Sequence, residues 1–402
     1  MELIQRKSYL SWLCDWKDKP VIKVVSGVRR CGKSTLLRIF QDYLREQGVE
    51  DARIVSINFE DLAFENLDSY QALYSYVCER LVSGSITYVF LDEVQHVDGF
   101  EKAVDSLFIR EGVDLYVTGS NAYLMSGELA TLLSGRYVEL KMLPLSFAEY
   151  CQAPTVGDAS PWELFDGYLV RGSFPLVAEM GLDEAQSAEY MRSLYNTILL
   201  KDVVQRLGVR DVTTLENVAK FLLQNIGSKV SLKRISDTLS SSGSRVDQKT
   251  VGKYVKGLTD GLLLYHAPRY DVKGRQLLVT SGKYYAVDVG LRGVLVRGRE
   301  SDVGHVLENV VYLELVRRGF EVYVGDLPGG EIDFVAVRGS ETAYFQVSAT
   351  TLDETTLARE LAPFRRLGDN YPKTLLTLDE VFGTMDYEGI QKRNVIDWLL
   401  EG

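Results

Sequence analysis

The chain has 402 residues, of which 46% are hydrophobic and 25% are charged, and its formal net charge is −11. This composition is typical of a globular protein of two or three domains, and the charge argues against a general polyanion binder. The N-terminus lacks a signal-peptide core, and no apolar run approaches the roughly 18 residues of a membrane span. The four cysteines form no CxxC pair. We therefore expect a cytoplasmic protein with no membrane partner and no structural zinc site.

The three histidines are far apart in the sequence. Each is expected to be a surface or packing residue rather than a metal ligand. They are His96, His266 and His305.

The strongest pattern is a phosphate-binding loop within residues 21–40, VIKVVSGVRRCGKSTLLRIF. A buried strand at residues 21–25 and a helix at residues 35–40 flank the loop in the order that this motif requires. Glycines allow the loop N–H groups to wrap phosphates, and the helix N-terminus adds a favourable dipole. Lys33 is expected to reach the β- and γ-phosphates, and Ser34 to hold Mg²⁺. The residues predicted to bind nucleotide are Gly27, Val28, Arg29, Arg30, Cys31, Gly32, Lys33, Ser34 and Thr35.

A second apolar strand, ITYVFLDEVQ, ends in the carboxylates Asp92 and Glu93. Asp92 is predicted to hold Mg²⁺ through water, and Glu93 to polarise the attacking water as a general base. A strand ending in Asp-Glu has only moderate specificity alone, but the phosphate loop precedes it in the chain. Together the two motifs predict an ATP site with Mg²⁺ as its cofactor.

Further strands are predicted at residues 53–58, 115–118 and 137–140, so residues 1–150 should form a mostly parallel sheet with helices on both faces. Ligands bind at the carboxyl ends of the strands in such sheets. Asn58 and Glu60 end one strand and are candidates to face the nucleotide. Arg136 precedes another strand and is either an arginine finger or part of a surface salt bridge. Arg171, in the next region, is either a nucleotide contact or a structural residue.

Residues 151–214 are mostly helical by pattern and are predicted to form a lid behind the core. Residues 215–280 then read as three helices and a hairpin, with Ser231 and Asp247 as N-caps, which describes a winged helix-turn-helix. Residues 228–275 carry ten Lys and Arg against four Asp and Glu. This excess favours contact with a DNA backbone, although winged helices also bind proteins. The candidate DNA contacts are Lys249, Lys253 and Lys256 on one helix face, with Lys273 and Arg275 at the hairpin tip.

The last region, residues 281–402, has a helix with Glu308 followed by three predicted strands, FEVYVGD, GEIDFVAVRG and TAYFQVSAT. This order is that of a PD-(D/E)XK nuclease core, in which clustered carboxylates hold Mg²⁺ and a lysine activates or orients water. Glu308 and Asp333 fill two positions, but Gln346 is neutral and Ser348 supplies no ammonium group. We expect a nuclease-like fold without cleavage, with an ordinary hairpin as the alternative.

Together the motifs resemble those of a large prokaryotic family of AAA-type (AAA+ superfamily) P-loop ATPases with a C-terminal domain of unknown function. The resemblance covers most of the chain. Its segments are SGVRRCGKST, FLDEVQ, TGSNA, SGRYVEL, KMLPLSFAEY, YLVRGSFP, YAVDVGLR, LEN and EIDFVA. It implies a multidomain α/β protein with an AAA+ core, a helical lid, a winged helix-turn-helix and a C-terminal restriction-endonuclease-like domain.

The resemblance also assigns roles by position. It implies that Lys33 and Ser34 contact the nucleotide and the metal, and that Asp92 and Glu93 are the carboxylates used in hydrolysis. Ser120 or Asn121 becomes the sensor of the γ-phosphate. Some family members keep Glu-x-Lys on the last strand, and this chain does not, which argues against nuclease activity.

Three functions are compatible with these motifs. The first is an ATP hydrolase that acts on DNA through its winged helix and its inactive nuclease-like domain. The second is a STAND-like switch in which bound nucleotide controls a protein partner. The third is an ATP-gated nuclease with a remodelled metal site. A homo-oligomer is compatible with the first, because arginine fingers usually act between subunits.

Overall fold

The structure is a computed structural model, and it describes residues 3–119, 133, 135–274, 276–296, 303–380 and 385–401. The chain divides into two compact units. The first comprises residues 5–144 and 260–262, and the second comprises residues 145–259 and 263–402 together with residues 1–4. Each unit is built around its own β-sheet.

The first unit contains five parallel strands in the order β2-β3-β4-β1-β5. Apolar, β-branched runs form the central strands, and every residue of β1 and β3 is buried, as expected for a sheet covered on both faces. The strands are β1 Ile22–Gly27, β2 Ile54–Asn58, β3 Thr87–Asp92, β4 Val113–Thr118 and β5 Tyr137–Met142. The helices are α1 Lys7–Trp16, α2 Lys33–Glu46, α3 Tyr70–Cys78 and α4 Phe100–Phe108. The predicted parallel sheet is confirmed.

An aromatic cluster fixes α2 against this sheet. Phe40 of α2 lies 5.2 Å from the ring of Tyr116 on β4, and Phe90 on β3 stacks on Tyr116 at 4.8 Å. All three rings are buried, and burial of each such side chain is worth roughly 1.5–3 kcal/mol. The position of the first turn of α2, where the phosphate loop ends, is therefore set by packing at the middle of the helix.

The second unit combines a helical segment with an eight-stranded sheet. The helices of the segment are α5 Phe147–Tyr150, α6 Pro161–Arg171, α7 Pro175–Met180, α8 Glu184–Thr197, the π-helix Ile198–Gln205, α9 Val212–Gln224, α10 Leu232–Ser241 and α11 Gln248–Asp260. The later helices are α12 Val289–Leu295, α13 Val303–Arg317, α14 Glu354–Arg365 and α15 Val395–Leu400. The sheet contains β6 Leu264–Asp271, β7 Gln276–Ala286, β8 Glu321–Leu327, β9 Gly330–Arg338, β10 Glu341–Ser348, β11 Lys373–Thr377, β12 Met385–Tyr387 and β13 Ile390–Asn394.

The hairpin that was predicted to end the winged helix belongs to this larger sheet. The sheet order is β12-β13-β11-β10-β9-β8-β6-β7, and β6 pairs in parallel with β8. The boundary predicted between residues 280 and 281 falls inside β7. This corrects the predicted boundary between the winged helix and the C-terminal domain. Strand pairing joins the hairpin to the C-terminal region, and β7 runs without a break through residues 280 and 281.

A buried carboxylate links two of the sequence segments that carried the family resemblance. Asp288 accepts hydrogen bonds from the backbone N–H and the hydroxyl of Ser173, both at 2.6 Å, and from the backbone N–H of Leu291, also at 2.6 Å. The segments RGSFP and YAVDVGLR therefore meet in the core of the second unit. Arg171 in the first segment donates to the hydroxyl of Tyr150 at 2.9 Å, which gives it a structural contact.

Candidate functional site

The phosphate loop leaves the carboxyl end of β1 through two positions that require glycine. A Cβ atom at Gly27 would lie 2.4 Å from the backbone oxygen of Met142 on the neighbouring strand. Gly32 has a φ of 103° in the left-handed region, directly before the first residue of α2. The strand, loop and helix predicted from the sequence are thus present, and the N-terminus of α2 faces the loop.

Lys33, the first residue of α2, points back into the loop. Its ammonium donates to the backbone oxygens of Gly27 at 3.0 Å and Val28 at 3.4 Å, and lies 4.0 Å from a carboxylate oxygen of Glu93. The side chain is buried, so these carbonyl oxygens replace water around the charge. Carbonyl oxygens are neutral acceptors, and the ammonium can exchange them for the oxygens of a bound phosphate.

Asp92 lies at the carboxyl end of β3 among polar groups from three other elements. Asn58 donates to it at 3.1 Å, the hydroxyl of Thr118 donates to its other oxygen, and Ser34 forms a further hydrogen bond with it. Burial raises the pKa of Asp92 above its ordinary value, the nearby Glu93 charge adds to this effect, and the bonds from Thr118 and Ser34 oppose it. The structure therefore brings the predicted metal residues Ser34 and Asp92 into direct contact.

Glu93 follows in a backbone conformation that is rare for a residue with a side chain. Its φ is 57°, which costs a non-glycine residue roughly 1–2 kcal/mol. Its backbone N–H donates to the hydroxyl of Thr118 at 3.0 Å, and Gln95 donates to its carboxylate at 2.6 Å. The first bond holds the Glu93 backbone, and the second orients its buried carboxylate.

Thr118 was not recognised from the sequence. Its hydroxyl contacts both Asp92 and Glu93, yet it appears in the sequence only as the last residue of an apolar strand. A polar residue at the carboxyl end of a buried parallel strand was the available signal. The sensor candidates Ser120 and Asn121 lie outside the described residues.

A cavity of about 270 Å³ opens beside this cluster. It lies between α2 and the ends of β2 and β3. It is lined by Ser34, Thr35, Leu37, Arg38, Gln41, Ser56, Asn58 and Asp92. Asn58 therefore faces the site, as predicted from its place at the end of a strand.

Three further groups lie near the loop. Arg29 is 3.5 Å from Glu60. Glu60, Glu93 and His96 each offer a possible ligand atom, and these atoms lie within 4.8 Å of one another. His96 is exposed, as predicted, but it lies close to this site. Cys31 is fully buried, and burial raises the pKa of its thiol, so the cysteine fills space in the loop.

Arg136 lies at the other end of the sheet. It directly precedes β5, whose first residue pairs with Ile22 at the start of β1, and Lys33 follows the end of β1. Arg136 forms a salt bridge with Asp105 and is partly exposed. Within one chain it does not approach the phosphate loop, and a finger role would require a second chain.

The candidate DNA-contacting residues are exposed on α11 and on the following hairpin. Lys249, Lys253 and Lys256 are exposed on α11, and Lys253 donates to the backbone oxygen of Leu207 at 3.1 Å. Lys273 is exposed between β6 and β7. The predicted N-caps are confirmed, since Ser231 accepts from Arg234 and Asp247 accepts from Thr250. Arg275 lies outside the described residues.

The four residues predicted as a vestigial nuclease site line one cavity of the second unit. Glu308 on α13, Asp333 on β9 and Gln346 on β10 line a cavity of about 480 Å³. The backbone N–H of Asp333 donates to the side-chain oxygen of Gln346 at 3.2 Å. Ser348 lines the same cavity, but its hydroxyl donates to the backbone oxygen of Thr350 at 3.0 Å.

A lysine that the sequence reasoning missed joins this group. Lys283 on β7 is buried, and its ammonium lies 2.8 Å from Glu308, 2.7 Å from Glu331 and 3.4 Å from Asp333. Burial and the Asp333 charge raise the pKa of Glu308 to about 8, against the opposing effect of Lys283. The signal in the sequence was a lysine among the apolar and aromatic residues of a buried strand, SGKYYAVD.

Comparisons with known proteins agree with the first of these sites. Residues 19–151 match a family model described as an AAA domain, and residues 163–302 match a domain of unknown function, DUF8612. An uncharacterized protein of Haemophilus influenzae is 39% identical over 402 residues, 99% of both chains. The uncharacterized protein MJ1544 of Methanocaldococcus jannaschii is 26% identical over 390 residues, 94% of this chain and 85% of the other.

A solved structure shares the fold. The Walker-type ATPase PABY2304 of Pyrococcus abyssi superimposes with a TM-score of 0.51 at 14% identity, over 73% of this chain and 96% of that one. The sheet, the phosphate loop and the family match define an AAA-type ATPase domain of the P-loop class. The chain as a whole belongs to the family of the Haemophilus protein. Among the described residues, no helix is long and apolar enough to cross a membrane.

Thr118 can be tested as a positioning residue. Thr118→Val keeps the side-chain shape but removes the hydroxyl that donates to Asp92 and accepts from Glu93. We expect kcat for ATP hydrolysis to fall on the order of tenfold, the equivalent of one buried hydrogen bond, with little change in ATP affinity. Steady-state kinetics and a nucleotide-binding titration measure the two quantities. Thr118→Ser, which keeps the hydroxyl, is the control, and equal kcat in all three proteins would contradict the role.

The raised pKa of Glu308 predicts a pH dependence of stability. Between the ordinary value of 4.5 and the raised value of about 8, folded Glu308 keeps a proton that the unfolded chain releases. The free energy of unfolding should therefore fall as pH rises through this window, and less steeply in Glu308→Gln. Urea unfolding at a series of pH values measures the slope. The exposed Glu189 provides the control variant, Glu189→Gln, and identical slopes in Glu308→Gln and wild type would refute the prediction.

Proposed function

We propose that the protein is an Mg²⁺-dependent ATP hydrolase that acts on DNA. The observation that carries the catalytic part is the meeting of Lys33, Asp92 and Glu93 at the carboxyl edge of one parallel sheet. Each group has a distinct environment. The lysine is held by carbonyl oxygens, Asp92 is surrounded by hydrogen-bond donors, and Glu93 is oriented by Thr118 and Gln95.

The residues present fit a magnesium ion. Ser34 and Asp92 supply hydroxyl and carboxylate oxygens, the hard donors that Mg²⁺ prefers, and they already lie in contact. The raised pKa of Asp92 also indicates a buried carboxyl group that a nearby cation would stabilise in its charged form. When bound, Mg²⁺ supplies positive charge that neutralises the phosphate oxygens.

The chain's own groups perform the remaining steps. The N–H groups of the loop and the N-terminus of α2 bind the phosphates, and the Lys33 ammonium moves from the carbonyl oxygens of the loop to the β- and γ-phosphates. Glu93 accepts a proton from the attacking water as the water oxygen bonds to the γ-phosphorus and the bond from the γ-phosphorus to the β,γ-bridging oxygen breaks, with ADP as the leaving group. The bond that the Glu93 N–H donates to the Thr118 hydroxyl, and the bond that Gln95 donates to the Glu93 carboxylate, hold Glu93 in the orientation that this transfer requires.

A role on DNA is supported by the lysine-bearing face of the second unit. Three helices are followed by a hairpin, and Lys249, Lys253 and Lys256 lie exposed on the third helix. This order of elements is that of a winged helix, which we propose as the nucleic-acid contact. The C-terminal sheet, which we propose to be nuclease-like, then continues from the same hairpin.

A homo-oligomer would give Arg136 a function. The residue cannot reach its own phosphate loop, because it lies at the opposite end of β1 and β5. It is partly exposed beside Asp105, and a second chain is the remaining partner for an arginine finger. We therefore propose that any finger role of Arg136 acts between subunits in the cytoplasmic protein.

The ATPase assignment has a direct test. Lys33→Ala removes the buried ammonium and should abolish or strongly weaken ATP binding, as measured by equilibrium titration. Glu93→Gln should still bind ATP, but its turnover should fall by roughly 10²–10⁴-fold, the range for removal of a general base. Glu65→Gln changes an exposed glutamate of the same unit and should match wild type. Unchanged affinity in Lys33→Ala, or unchanged turnover in Glu93→Gln, would reject the corresponding role.

The DNA role is tested by removing the charges on α11. The triple variant Lys249→Ala, Lys253→Ala, Lys256→Ala should bind duplex DNA more weakly. Its dependence of log K on log salt should be shallower by about 0.9 for each phosphate that the variant no longer neutralises. Lys201 and Lys220 are exposed outside the basic segment, and their alanine variants provide the control. DNA could instead leave both the ATPase rate and the sedimentation of the wild-type protein unchanged, while nucleotide changes its mass in solution. That result would favour a switch with a protein partner.

A further inference from the structure

Three carboxyl groups of the second unit lie around one buried ammonium group. We call this set the Lys283 cluster, and it consists of Lys283, Glu308, Glu331 and Asp333. The carboxylates come from three places, the helix α13 and two positions on β9, while the lysine comes from β7. Lys283 is only 4% exposed, so its charge is stabilised by these neighbours and not by solvent.

The geometry uses the full hydrogen-bonding capacity of the ammonium. A lysine ammonium has three N–H donors. The three nearest carboxylate oxygens belong to three different residues, at 2.7 Å for Glu331, 2.8 Å for Glu308 and 3.4 Å for Asp333. Burial by itself would lower the pKa of Lys283, but the surrounding carboxylates outweigh this effect and raise the pKa above its ordinary value, so the group stays charged.

This arrangement places a positive charge at the point where the carboxylates converge. A divalent cation that bound the same oxygens would need to lie about 2.0–2.6 Å from them. The Lys283 nitrogen already lies between these oxygens, at 2.7 to 3.4 Å, and two cations cannot share that position. The cavity of about 480 Å³ beside Glu308 and Asp333 shows that access to the cluster exists. The Lys283 ammonium therefore excludes a metal ion from the cluster, and a lack of access does not.

The neighbouring residues are consistent with this charge balance. Gln346 occupies the position next to Asp333, where its neutral amide accepts from the Asp333 N–H and donates to Glu360 at 3.0 Å. A carboxylate there would add a negative charge to a set that has one central cation. Glu360 is paired with Arg359 at 2.9 Å, and Glu331 has a second partner in Lys229 at 2.5 Å. Glu360 is thus paired with Arg359, and Glu331 is paired with Lys229 in addition to Lys283.

We propose that the Lys283 ammonium takes the place of a divalent cation in this cluster, so that the second unit contains a latent metal site closed by its own lysine. The negative charge that the cluster carries is compensated by Lys283 and Lys229 of the same chain. The unit then needs no metal ion to fold and presents none to a bound nucleic acid. Removing the ammonium should open the site to Mn²⁺ or Mg²⁺.

The test compares Mn²⁺ binding in nucleotide-free full-length protein, measured by electron paramagnetic resonance titration. Wild type and Asp333→Asn should bind Mn²⁺ alike, because Asp333 is not a metal ligand while Lys283 is present. Lys283→Met should bind about one additional Mn²⁺ ion per chain, and this gain should disappear in Lys283→Met/Asp333→Asn. The ATPase domain is the same in all four proteins, so its own metal binding cancels and a failure there is distinguishable.

A matched control is offered by a second buried lysine in the same unit. Lys392 contacts a single carboxylate, Asp379, at 2.8 Å. Lys392→Met removes a buried ammonium without opening a set of three carboxylates, so it should gain no Mn²⁺ ion. Mn²⁺ should also raise the melting temperature of Lys283→Met more than that of Lys392→Met or wild type, since the ATPase domain contributes equally in all three proteins.

Three outcomes would overturn the proposal. The first is a Mn²⁺ ion that wild type binds and Asp333→Asn does not, and the second is Mn²⁺-dependent DNA cleavage by wild type that Asp333→Asn abolishes. The third is a folded Lys283→Met variant that gains no ion. If Lys283→Met does not fold in either the presence or the absence of Mn²⁺, the comparison of wild type with Asp333→Asn decides alone.

Discussion

The burial of carboxylates beside a lysine is the interaction on which both units of this protein depend. In the first unit, Asp92 and Glu93 lie under the phosphate loop with the Lys33 ammonium 4.0 Å from Glu93. In the second, Lys283 lies at 2.7 to 3.4 Å from three carboxylates. Charges removed from water must be compensated locally, and the way each unit does so determines what the site is able to bind.

The two lysines differ in how easily they can leave their partners. Lys33 donates to backbone carbonyl oxygens, which are neutral, so a phosphate can replace them at little electrostatic cost. Lys283 is held by the carboxyl groups of three residues, and removing it would leave Glu308 and Asp333 buried without their central cation. The Lys33 ammonium therefore belongs to a site that can exchange its contacts for a phosphate. The Lys283 ammonium belongs to a cluster whose contacts are complete without a ligand.

Hydrogen-bonding side chains at the strand ends hold the two carboxylates of the first site in position. Asn58, Thr118 and Ser34 all contact Asp92, and Thr118 also fixes the backbone of Glu93. Each lies at or directly after the end of a parallel strand or loop, so the twist and order of the sheet bring them together. The strained backbone of Glu93 is held by the bond from its N–H to the hydroxyl of Thr118.

The ATPase site was largely predictable from the sequence, and the second unit was not. The phosphate loop and the Asp-Glu pair are local patterns, since the spacing of Gly27, Gly32 and Lys33 specifies a backbone shape within a few residues. Thr118 was missed because a single threonine at the end of an apolar strand has no distinctive neighbours. Lys283 was missed for a related reason. Its partners are 25 to 50 residues away in the sequence, on α13 and β9, and only the tertiary fold brings them to it.

The sequence by itself determined the class of the first domain and the residues that form its phosphate loop, because those features depend on short-range geometry. It also determined the N-caps at Ser231 and Asp247, which are local hydrogen bonds. Only the tertiary structure decided that the predicted hairpin joins the C-terminal sheet, that Arg136 lies far from its own phosphate loop, and that a lysine completes the carboxylate cluster. Each of these depends on contacts between elements that are distant in the sequence, and no local sequence pattern specifies those contacts.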